Sequence, residues 1–88
     1  MVGRRSSSRL VHIHPTPAST AVEITAETAE PSTLDILTSE GESVLSRGIN
    51  VGSNTVKVNV DYLQPGIYGC RLRTERGVLQ VVPFIIVR

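Results

Sequence analysis

Residues 61–77, "DYLQPGIYGCRLRTERG", carry the plainest structural instruction in the chain. Pro65 and Gly66 are turn formers, one fixing φ and the other freeing it. From Gly66 the residues alternate: Tyr68, Cys70 and Leu72 fall on one side, Arg71 and Arg73 on the other. A period of two is that of a strand with one buried face, so Tyr68, Cys70 and Leu72 are expected in a core and the two arginines in water. Arg76-Gly77 then closes the segment as a second turn, leading into the apolar run "VLQVVPFIIVR".

Working outward from that strand, six more segments have the same character. "RLVHIH" (Arg9–His14) places Val11 and Ile13 inward and His12 and His14 outward, and stops at Pro15. "TAVEIT" (Thr20–Thr25) sets Val22 and Ile24 against Glu23, and "TLDILTS" (Thr33–Ser39) buries Leu34 and Ile36 around an outward Asp35. Glu40-Gly41 makes a hairpin into "SVLSRGI" (Ser43–Ile49), and "NTVKVNV" (Asn54–Val60) puts Val56, Val58 and Val60 inside. The last segment, Val78–Arg88, contains Pro83, which implies a bend, a bulge or an edge position. Residues 25–31, "TAETAEP", are short, lack bulky apolar side chains and end at a proline; they read as loop.

Composition agrees with strands. Twelve valines, seven isoleucines and eight threonines supply stiff, β-branched side chains suited to a pleated surface. No window of eleven residues holds the i, i+3, i+4, i+7 spacing of an amphipathic helix. Seven short strands separated by Gly, Pro and Asn turns predict an all-β, seven-stranded antiparallel two-sheet sandwich of the immunoglobulin-like kind over residues 9–88. Residues 1–8 are then a flexible linker or a cloning remnant. At 88 residues the core is thin, which favours two sheets that hide their apolar faces in each other.

Charge and residue content narrow the function classes. Nine Lys and Arg against eight Asp and Glu leave a net charge of +1, far from the basic excess of a nucleic-acid binder. Aromatics are 3% of the chain, too few for base-stacking or sugar-stacking platforms. No run approaches the roughly 18 apolar residues of a membrane helix, so no transmembrane segment is expected. The N-terminus is basic and serine-rich without the apolar stretch of a signal peptide, so a secreted role requires a longer protein or export with something else. The single Cys70 forms no internal disulfide, and its place between Tyr68 and Leu72 makes it a core residue rather than a nucleophile. His12 and His14 share a strand face but show no third metal ligand, and no Gly-x-Ser-x-Gly frame supports a triad. Neither "RGVLQ" nor "EGESV" has the glycine spacing or following helix of a phosphate cradle. The expectation is a non-enzymatic domain with no cofactor. Arg71, Arg73, Arg76 and Arg88 are most simply a solvated basic face, with a recognition surface as the alternative.

From Leu10 to Arg88 the chain resembles the C-terminal sorting domains of cargo proteins of the type IX secretion system in Bacteroidetes. "VHIHPTPA" is similar to the family's opening strand and Pro-Asn-Pro-Ala, matching at Pro15, Pro17 and Ala18, with Thr16 in place of the asparagine. "LDILTSEGESV" resembles its hairpin with Gly41, and "VNVDYLQPGIYGCRL" its Leu-x-x-Gly-Ile/Val-Tyr element at Leu63, Gly66, Ile67 and Tyr68. "FIIVR", with Phe84 and Arg88, is similar to its apolar ending closed by a basic residue.

The resemblance implies a role. Such a domain follows a secreted cargo and directs it from the periplasm through the outer-membrane translocon to the cell surface or beyond. A surface sortase of the cysteine-protease type normally cuts the linker ahead of it, here before Arg9, with the exact bond unknown. Its partners are then the translocon and sortase components and the covalently attached upstream cargo. The rival reading is an immunoglobulin-like accessory module binding a carbohydrate or protein partner at the cell surface. A third is a structural protein that forms a homodimer through edge strands such as Arg9–His14 and the last strand.

Overall fold

The computed structural model describes residues 8–14 and 20–87, and all of its regular structure is strand. The elements are β1 (Arg9–His14), β2 (Ala21–Thr28), β3 (Ser32–Thr38), β4 (Ser43–Ile49), β5 (Gly52–Asn59), β6 (Gly66–Thr74) and β7 (Gly77–Ile86). They form two antiparallel sheets, β1-β2-β5 and β4-β3-β6-β7. The all-β two-sheet sandwich expected from the alternation is what the chain adopts, in an order compatible with immunoglobulin-like domains.

The core lies between the sheets. Val22 and Ile24 of β2 and Val58 of β5 face Leu34 and Ile36 of β3, Cys70 and Leu72 of β6, and Phe84 and Ile86 of β7. A side-chain bond joins the layers at their margin: the Gln80 amide oxygen of β7 accepts from the Leu10 N–H of β1 at 2.9 Å.

The β5–β6 corner is locked locally. The Tyr68 hydroxyl donates to the Gln64 carbonyl four residues upstream at 2.6 Å, and the Leu63 N–H donates to the Val60 carbonyl. A tyrosine at the start of this strand, bonding back to the preceding loop two residues before a cysteine, has the form of the tyrosine corner of immunoglobulin-like sandwiches. Gly66, at the strand's entry, has φ of 153°, where a side chain is disfavoured. The β3–β4 hairpin is held by Thr38, whose hydroxyl accepts from the Glu40 and Glu42 N–H groups around Gly41 at φ 89°.

Several local expectations are corrected. Residues 25–28 are not loop: β2 runs to Thr28, because β1 and β5 pair with it on both sides and its small Ala26 and Thr28 are buried. In β1 the inward residues are Leu10 and Ile13, not Val11 and Ile13. Val11 is the extra residue of a bulge between Leu10 and His12 and is turned out, 41% exposed. Asp35 does lie on the side of β3 away from the core, yet it is fully buried, and Arg71 and Arg73 are bound to it rather than free in water. Pro83 takes the edge option: β7 is the outer strand of its sheet, and its pairing with β6 runs from Gly77 to Ile86 across the proline.

Two outcomes test this architecture. Ile36→Ala, which empties a site 1% exposed, is expected to cost about 2–5 kcal/mol in denaturant unfolding, against less than about 0.5 kcal/mol for Val51→Ala on the surface. Tyr68→Phe keeps the ring against Phe84 but removes the bond to the corner, and should cost about 1 kcal/mol, read as a lowered melting temperature.

Candidate functional site

The side of β3, β6 and β7 that turns away from the core is unlike an ordinary solvated sheet face. Register puts cross-strand partners on the same face, so the pairs Asp35–Arg71 and Arg71–Val81 place these three side chains in one outward row. The pairs Thr33–Arg73 and Arg73–Val78 make the next row, and Leu37–Gly69–Pro83 and Ile67–Ile85 the two rows beyond.

Asp35 is the centre of the polar half. Its Oδ2 accepts from the Arg71 Nε at 3.0 Å and from the Arg73 Nε at 2.6 Å, with the Arg71 Nη2 paired to it at 2.8 Å. Its Oδ1 accepts from the Ser46 hydroxyl of β4 at 2.5 Å. Three adjacent strands are thereby tied by one carboxylate. Burial alone would push this carboxyl up, but the bonds from Arg73, Ser46 and Arg71 and the charge of Arg73 outweigh it and hold it below its ordinary value. The same burial, helped by the negative charge of Asp35, pushes the Cys70 thiol up to about 12, so the described cysteine is an inert core residue.

The arginines expected to form one basic patch are thus divided. Arg71 and Arg73 share Asp35, and Arg76 reaches Glu30 at 3.5 Å. One carboxylate cannot neutralise two guanidinium groups, so the cluster keeps a surplus positive charge, and the Arg73 side chain remains 42% exposed. His12 and His14 do share a face, with ring centroids 4.8 Å apart. They are engaged by Thr25 and Glu23, and no metal-binding group of three or more ligands occurs among the described residues.

The residues singled out by motif gather at one end of the four-stranded sheet. Gly66 pairs with Ile86, Ile67 with Ile85, and Tyr68 with both Phe84 and Thr38, the residue that opens the Gly41 hairpin. Leu63 packs against the core beside them, and Phe84 is buried, 6.1 Å from the Tyr68 ring centroid. Ile67 is the exception, turned outward and 61% exposed. Pro15, Pro17, Ala18 and Arg88 lie outside the described residues. Sequence reading missed the Asp35 clamp and the apolar outward rows, although an acid between two core residues on β3 and arginines two apart on β6 were visible signals.

The clamp makes a pH prediction. Asp35 is ionised more readily folded than unfolded, so its contribution is complete above the unfolded value of about 3.9 and disappears as pH falls through the lower folded value. Asp35→Asn should therefore lower stability by about 2–3 kcal/mol at pH 7, discounted for the half-exposed arginines, with the gap to wild type closing below pH 4 in urea titrations.

The family of secretion system C-terminal sorting domains matches the chain over residues 12–88. No curated protein and no solved structure matches it. A match that runs through six complete strands and the second half of β1, and takes in the corner and hairpin just described, leaves one conclusion: the chain belongs to the C-terminal sorting domains of type IX secretion.

Proposed function

We propose that the domain carries an attached upstream cargo through the outer-membrane type IX translocon, passing through the periplasm to the cell surface or medium. A surface sortase then cleaves the linker ahead of Arg9. Membership of a sorting-signal family is the observation that carries this reading, since that family acts as a secretion signal and not as a catalyst. The form of the domain supports it. A signal is read most cheaply when it is presented in one shape, and β7, the last strand, is paired to β6 along its whole length. The translocon and sortase are its partners in this reading. The motif positions Gly41, Leu63, Gly66, Tyr68 and Phe84 act chiefly by building the end of the sheet that is presented, and Ile67 by standing out from it.

The test is a fusion of a signal peptide, a reporter and residues 9–88 in a Bacteroidetes host. The reporter is expected outside the cell, and deletion of residues 78–88 should cut its export at least tenfold. Reporter held in the periplasm by the intact fusion would overturn the reading.

A further inference from the structure

The two outer faces of the sandwich differ in kind. On the three-stranded sheet the paired outward positions are mainly polar, as in the rows Glu23–Lys57 and Thr25–Thr55, and Val11, the bulge residue of β1, adds a large apolar side chain there. On the four-stranded sheet, β7 sends Val78, Val81, Pro83 and Ile85 outward, joined by Ile67 of β6. Val78, Val81, Ile67 and Ile85 are 47–61% exposed, and at Gly69 an added Cβ would lie 3.4 Å from the Val81 Cγ1, so the stripe closes over the glycine.

We propose that this stripe docks an extended polypeptide segment of six or seven residues from the export machinery, apolar along its length and bearing a carboxylate beside Arg73. The inference rests on the sorting role argued above and names the surface and chemistry that serve it. Shape selects the occupant first. The apolar side chains of β7 span residues 78–85, roughly 20 Å at strand spacing, and little more than one strand in width. That footprint fits a single extended chain. It amounts to a few hundred Å², enough to mark a contact but short of the roughly 800 Å² per partner of a stable dimer.

Charge selects next. The surplus positive charge of the Asp35–Arg71–Arg73 cluster borders the stripe at Val78, the cross-strand partner of Arg73. A second copy would bring the same surplus charge, whereas an acidic side chain would be drawn to the exposed guanidinium. The edge of β7 is a poor alternative to its face: Leu79 is the extra residue of a bulge, and Pro83 has no N–H to offer an added strand.

The experiment uses the same reporter fusion. Ile85→Lys and the milder Ile85→Thr, which keeps a β-branched side chain, should each reduce export at least tenfold with melting temperatures near wild type. Thr25→Lys on the opposite sheet should leave export unchanged. Val78→Asp should lose at least tenfold and Val78→Lys less than threefold, because the first puts a competing carboxylate at the arginines. A photoreactive benzoylphenylalanine at position 85 should join to a segment of another polypeptide that contains Asp or Glu. Full export of both Ile85 variants, equal losses at Val78, or adducts only to lipid or to a second copy would overturn the proposal while leaving the sorting role intact. Failure of the unmodified fusion to leave the cell would remove the sorting role itself, and this inference with it.

Discussion

The carboxylate of Asp35 sets the arrangement of the four-stranded sheet. It sits on the side of β3 remote from the core, yet it is fully buried by Arg71 and Arg73 of β6 and bonded to Ser46 of β4. Slipping β3 against β6 by one residue would carry Asp35 into the apolar interior and leave two guanidinium groups without their acceptor. Hydrophobic alternation already resists such a slip, and the clamp adds a charged penalty to it. The inner pairs Ile36–Cys70 and Leu34–Leu72 follow from the same register. The β6–β7 register then brings Tyr68 to Phe84, which links the locked corner to the last strand.

Edge strands are where a small sandwich is vulnerable to unplanned pairing, and here they are mostly blunted. β1, β4 and β7 each carry a register shift, at Val11, Val44 and Leu79, and β7 adds Pro83. β5 keeps an unbroken register with β2 but presents Lys57 and polar neighbours. These features weigh against backbone pairing between copies, the route considered for a homodimer. They leave side-chain contact on a sheet face as the open means of association, and the apolar face belongs to the sheet that ends the chain.

Much of the fold was legible because strand period and turn chemistry are local. β1, β4 and β6 fall on the segments read from alternation, and Gly41 and Gly66 stand where the turns need positive φ. What was not legible depended on neighbours in space. Residues 25–28 have no apolar bulk, and only pairing on both sides makes them strand. Val11 faces out because a bulge shifts the pattern by one, an event with no marker in "RLVHIH". Asp35 looked solvated because alternation says which side a residue takes, not what covers it there. Of the candidate site, Tyr68, Gly66, Leu63 and Phe84 were visible as a motif, but their convergence on one end of the sheet needed the β6–β7 register.

A small domain has few ways to be both inert and recognisable. Its core residues are occupied with stability, its lone thiol is buried beneath the sheet, and its one buried carboxylate is held by Arg71 and Arg73. Recognition then falls to surface that folding leaves unused. The outer face of β6 and β7 qualifies because its apolar side chains contribute little to the core and gain by burial elsewhere. An exposed stripe of this kind is a liability in free solution, which selection tolerates where a partner covers it. A strand clamped in register by β6, itself fixed to β3 through one carboxylate, holds that stripe straight, so a partner would meet a surface already ordered and lose less entropy in binding it.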